Sequence, residues 1–342
     1  MSEQAGVLEG AIPPVLNDRL FGHEDAERFL AQAHKGGKMH HALLIEGPQG
    51  IGKATLAFRF ANHILTHSNP ALAPDMLADP DIQSAVSRQL ASGASHNLLH
   101  LSRPTDEKTG KVKSAITVDE VRRAGRFFAQ TTGSDSWRVV IVDPADDLNR
   151  NAANAILKML EEPPKRSIFL VLSHAPGKLL PTIRSRCMPL KLSPLSDGAL
   201  SSALDHLDIN LTPEKRELLV ASAGGSVSQA LKLLNYGGSD IVEAFNSIME
   251  TKGPAARKVM HKLADVLAQK DSDVILGFFT EHVTDYLISA ARQSAMRGDL
   301  PRADIYSRLS SSLTEKINVA QAYNLDKKQT VISVLEELHA LS

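Results

Sequence analysis

Between residues 20 and 195 the chain alternates two kinds of pattern. Ala42 to Ile45, Asn97 to Leu101, Val139 to Val142, Ser167 to Leu172 and Met188 to Leu192 are short, mostly apolar runs without helical period, as expected of strands covered on both faces. Between them lie stretches of helical spacing. His23 to His34 carries Ala26, Phe29, Leu30 and Ala33 on one stripe and is closed by Gly36-Gly37. A second helix opens at Ala54, and a third, Val118 to Gln130, follows a capping box of Thr117 and Glu120 and ends near Gly133. A fourth, Asn151 to Glu161, is capped by Asn149 and places Ala155, Ile156, Met159 and Leu160 together. Strand alternating with helix predicts a parallel sheet flanked by helices.

After residue 195 the period is helical throughout. Asp197 to Leu207, Pro213 to Ala223 and Val227 to Asn235 read as three short helices, the second with Thr212 as N-cap and Pro213 in its first turn. From Ser239 onward longer helices follow. Ile275, Phe278, Phe279, Val283, Tyr286 and Leu287 form one apolar row, and Ile305, Leu309, Leu313, Ile317 and Ala320 another. The expected division is an α/β domain over 1–194, a small helical domain over 195–238 and an all-α domain over 239–342. Residues 69–95 are polar, alanine-rich and only weakly helical.

Composition narrows the function classes. A net charge of -1 over 342 residues provides no global attraction to nucleic acid or anionic lipid. The one cysteine, Cys187, excludes an intrachain disulfide and any zinc module built on two or four cysteines. No apolar run approaches membrane-spanning length, and the first residues lack a basic then apolar leader, so a cytoplasmic protein is expected.

The chemistry gathers at strand ends. The first strand runs into Gly47-Pro48-Gln49-Gly50-Ile51-Gly52-Lys53, the spacing G-x-x-x-x-G-K of a phosphate-binding loop. There glycines let backbone amides approach a phosphate, and Lys53 reaches its outer oxygens. Where such loops place a Mg²⁺-ligating hydroxyl after the lysine, this chain has Ala54, with Thr55 one residue late. The third strand ends in Asp143, which suits a Mg²⁺ shell, but Pro144 follows it, and proline can neither take a proton nor orient a water. The nearest other carboxylates are Asp146 and Asp147. Ser173 ends the fourth strand where a polar group could sense a γ-phosphate, and Arg184 and Arg186 flank Ser185 beside a short helix. Adjacent His40 and His41 point to opposite faces of a strand and predict no metal site.

GPQGIGK, VVIVDPAD, NAANAILKMLEEPP, IFLVLS and the SRC of Ser185 to Cys187 together resemble the clamp-loader subunits of the AAA+ family, strongly over residues 20–195. The resemblance implies a AAA+ P-loop domain, a helical lid and a C-terminal helical collar that holds a hetero-pentamer together. It implies that Arg186 reaches the ATP site of a neighbouring motor subunit as an arginine finger. It further implies a delta subunit as partner, and contact with the sliding clamp and primer–template DNA through the complex. The motors of the family keep a hydroxyl after the P-loop lysine, a Walker B glutamate, four zinc-binding cysteines and a lid arginine. All four are absent here, and Ser228 stands in place of that arginine.

The expectation is a non-motor subunit that assists clamp loading in DNA replication and hydrolyses no ATP alone. Gly47, Gly50, Gly52, Lys53, Thr55 and Asp143 would form a degenerate site that could hold ATP or ADP without hydrolysis; no zinc is expected. Without the zinc module that many relatives carry, the fold of 65–97 is open. The alternative is an active AAA+ ATPase with Thr55 at Mg²⁺ and Asp146 or Asp147 as base. A stand-alone DNA-binding regulator lacks any basic stripe.

Overall fold

The computed structural model describes residues 8–106, 110, 112–129, 136–235, 237–269, 273–323 and 325–341. Gln130 and Gly133, where a helix end was expected, lie outside them. The chain forms two compact units, Met1–Leu231 and Lys232–Ser342.

The first unit runs α1 (Glu24–Lys35), β1 (Ala42–Glu46), α2 (Lys53–Thr66), α3 (Ala85–Ala91), β2 (Leu98–Leu101), α4 (Val118–Ala129), β3 (Arg138–Val142), α5 (Arg150–Glu161), β4 (Ser167–Ser173), α6 (Pro181–Arg184), β5 (Met188–Lys191), α7 (Asp197–His206) and α8 (Pro213–Ser222), into α9 (Val227–Asn235). The strands form one parallel sheet in the order β2-β3-β4-β1-β5, with Leu44 beside Val171 and Val140 beside Phe169. Side chains alternate across it. Leu43, Ile45, Ile141, Leu170 and Leu172 meet Leu30, Phe60 and Ile64 of α1 and α2, while Leu44, Val140, Val142 and Phe169 meet Phe127, Ile156 and Leu160 of α4 and α5. Every residue of β4 is buried, which is why Ile168 to Leu172 is an unbroken apolar run between its two terminal serines.

Two stripes sit differently from their expected places. On α1 the buried residues are Ala26, Glu27, Leu30, Ala31 and His34, and Phe29 is 42% exposed. The inward face is turned toward Glu27 because that carboxylate meets the buried Arg59 of α2, at 2.8 Å. Arg59 also donates to the Asp18 carbonyl and lies 3.0 Å from Asp79. The segment left open by the missing cysteines is a 3-10 turn at Pro70–Leu72, an irregular stretch of bends and turns, and α3. It is held by Asp79, by Lys35–Asp75 at 3.0 Å and by the buried Leu77.

The second unit contains α10 (Gly238–Glu250), α11 (Pro254–Leu267), α12 (Asp273–Met296), α13 (Leu300–Ala322) and α14 (Lys327–His339). Helix α12 lies along α13, α10 along α11, and α11 against α14. Phe245, Phe278, Phe279, Val283, Leu287 and Leu335 are buried in it. The row on α13 runs through Tyr306, Leu313, Ile317 and Ala320, and Ile305 is 44% exposed. Among the described residues no helix is long and apolar enough to cross a membrane.

Candidate functional site

Parallel strands bring their C-terminal ends to one edge, and there β1, β3 and β4 place Gly47, Asp143 and Ser173. Helix α2 starts at Lys53, directly after the loop, so its first amides face the cradle end. The loop is fixed carbonyl by carbonyl. Lys53 Nζ donates to the Gly47 oxygen at 2.6 Å and to that of Pro48. Ser226 Oγ donates to the Gln49 oxygen at 2.9 Å, the Val227 amide to that of Gly50 at 3.0 Å, and His23 Nε2 to that of Ile51 at 2.7 Å.

Lys53 is buried, and burial lowers its pKa to about 8 against the pull of Asp143 and Asp146, which favour the charged form. Its ammonium is spent on its own loop. From outside, the start of α9 lies against Gly50. With φ at +76°, a Cβ there would stand 2.4 Å from Ser226 Oγ and 2.5 Å from Ser228 Cβ, so only glycine fits. Ser228, at the position of the missing lid arginine, is thus a wall of the cradle. Ala54 offers no oxygen to a metal, and Thr55 is buried.

The carboxylates are engaged as well. Asp143 Oδ2 is 3.6 Å from His100 Nε2, and Pro144 follows it through a cis peptide bond. Asp146 accepts from Ser173 Oγ at 3.0 Å and from the amides of His174 at 2.8 Å and Ala175 at 3.0 Å. It therefore holds the end of β4, and the Ser173 hydroxyl with it. Asp147 pairs with Arg103 at 3.1 Å, and burial raises its pKa. Of the residues that the active-ATPase alternative calls on, Thr55 is buried and Asp146 and Asp147 are each held by partners.

Arg186 follows α6; its side chain is 34% exposed and pairs with Glu161 at 2.6 Å. Cys187 beside it is buried, which pushes its thiol up to about 11 and leaves it inert. His41 Nε2 donates to the Leu160 carbonyl at 3.0 Å and so caps the end of α5. Among the described residues no group of three or more His, Cys, Asp or Glu side chains is placed to hold a metal ion. The sequence reading did not find His23, Ser226 or Glu161 as partners of the site. The one local signal was Glu161, an acid at a helix C-terminus, where the helix dipole disfavours it.

A loop-and-helix cradle at the C-terminal edge of a parallel sheet flanked by helices defines an α/β P-loop protein. The family described as DNA polymerase III, delta subunit, matches residues 22–196, and the chain belongs to that family. It is 37% identical over 200 residues to the DNA polymerase III subunit delta' of Pseudomonas aeruginosa, covering 58% of this chain and 56% of the relative. To the subunit delta' of Bacillus subtilis it is 30% identical over 196 residues, 57% of this chain and 54% of the relative. The matches thus span little more than half the length of these relatives. A DNA polymerase III gamma subunit-related protein of Thermotoga maritima is structurally similar at a TM-score of 0.41 and 17% identity, covering 91% of this chain and 98% of that one.

Proposed function

We propose that this chain is the delta-prime subunit of a DNA polymerase III clamp loader, a non-motor subunit that helps set the sliding clamp on primed DNA. Family membership and the delta' relatives favour this reading. The observation that carries it is the engagement of Asp146. The carboxylate nearest to a base position is consumed by three donors at the end of β4, while Pro144 occupies the place of the usual glutamate. Among the described residues, neither Asp146 nor Asp147 is left free to activate a water. Its partners would be the motor subunits and the delta subunit of a hetero-pentamer joined through the C-terminal helices.

In this reading Arg186 acts in trans, its guanidinium stabilising charge that develops on the γ-phosphate held by a neighbouring motor. The chain's own P-loop joins the sheet to the start of α9 through Ser226 and Val227, and ATP or ADP would be held there without hydrolysis.

ATP turnover by the purified chain, and by a loader reconstituted with Arg186→Ala, tests the proposal. The expected result is no turnover by the chain alone and depressed turnover by an intact variant complex. Steady turnover by the chain that is lost in Lys53→Ala would make it a motor instead.

A further inference from the structure

We infer that Glu161 is the positioning residue of Arg186, an inference that rests on the reading of Arg186 as a finger. Glu161 is the last residue of α5, and its Oε1 lies 2.6 Å from Arg186 Nη2. Arg186 Nη1 donates to the Thr182 carbonyl of α6 at 3.0 Å. Two elements therefore grip the two terminal amines of one guanidinium. Both elements are fixed in their turn. The end of α5 is held by the buried Leu160, whose carbonyl accepts from His41 beside β1, and α6 by the buried Ile183.

Stability does not account for this pair. Its side chains are 34% and 48% exposed, and exposed ion pairs contribute little. Glu161 sits where the helix dipole opposes an anion, with Glu162 next to it. What the pair supplies is orientation. An arginine free in solvent samples many rotamers, and ordering it during phosphoryl transfer raises the barrier. Held at Nη1 and Nη2, the guanidinium keeps its remaining N–H groups for an acceptor on the exposed side. A group that meets charge only as it develops affects the chemical step more than binding. Loss of the grip should therefore lower kcat and leave KM for ATP in place.

The test uses the reconstituted loader with Arg186→Ala, Glu161→Gln and the double variant, each checked for assembly. Arg186→Ala defines the component of turnover that the finger serves. Glu161→Gln is expected to lower the kcat of that component about tenfold with KM unchanged, and the double variant to match Arg186→Ala. Glu161→Asp should recover part of the loss. If Arg186→Ala lowers turnover while Glu161→Gln leaves or raises it, the positioning role is overturned and the finger stands. Additive losses in the double variant would overturn it too, because Glu161 would then act independently of Arg186. No effect of Arg186→Ala would remove the finger, and the inference with it.

Discussion

Lys53 donates to the carbonyl of Gly47 at 2.6 Å, so the cation of the phosphate loop is bound to the loop itself. Buried there, it has a pKa of about 8, below the 10.5 of a free lysine. Between those values the unfolded chain holds the proton and the folded chain releases it. Stability contributed by this group therefore rises with pH across that window. The difference in denaturant midpoint between wild type and Lys53→Met, followed from pH 7.5 to 10, should move in favour of wild type. A flat difference would mean that Lys53 is solvated and the loop open.

Gly50 is expected to decide whether the lid closes. An alanine there meets Ser226 Oγ at 2.4 Å and Ser228 Cβ at 2.5 Å at a φ of +76°. Left-handed strain and overpacking together should cost about 3 kcal/mol. Hydrogen exchange at the Val227 amide, which donates to Gly50, should accelerate in Gly50→Ala and slow again in Gly50→Ala/Ser228→Gly. Unchanged protection in Gly50→Ala would mean that the lid does not rest on the loop.

Much of this arrangement was legible in the chain. The buried strands are continuous apolar runs, and a parallel sheet must place their ends together, so Gly47, Asp143 and Ser173 could be assigned to one edge before any contact was known. The partners of those residues could not. The bond from Ser226 to Gln49 spans 177 residues, and that from His41 to Leu160 spans 119. No local period encodes either. The turn of α1 away from Phe29 was hidden for a related reason: a buried ion pair with Arg59 outweighs one aromatic side chain, and periodicity counts only apolar residues.

That ion pair carries the next expectation. The side chains of Arg59 and Glu27 are 3% and 7% exposed, and Arg59 also ties down Asp79 and the Asp18 carbonyl. Arg59→Met leaves Glu27 buried without its cation and should cost about 3–5 kcal/mol in urea unfolding. Arg59→Met/Glu27→Leu should recover most of it, since two apolar side chains suit the same space. Proteolysis within residues 70–80 should increase in both variants, because Asp79 loses Arg59 in each and keeps only the exposed Arg19, at 3.5 Å. Failure of the double variant to recover would assign the loss to Asp18 and Asp79 instead of the pair.

The last expectation concerns acid. His34 and His63 are 1% and 5% exposed, with ring centroids 5.2 Å apart, and His67 lies 5.1 Å from His63. Neither ring nitrogen of His34, nor Nε2 of His63, has a hydrogen-bond partner among the described residues. Burial, then His34 and His67, lowers the His63 pKa to about 4, and burial lowers that of His34. An unfolded histidine takes its proton near 6.5, so from there down to about 4 the unfolded chain binds more protons and stability falls with pH. For His63 alone the loss is on the order of 3 kcal/mol. Trp137, the one tryptophan, meets His34 edge-on at 5.8 Å and reports on the cluster directly. Unfolding followed by its fluorescence from pH 7 to 4 should show a midpoint falling more steeply in wild type than in His63→Phe. Parallel slopes would mean that His63 is protonated without penalty, and that the cluster is open to water.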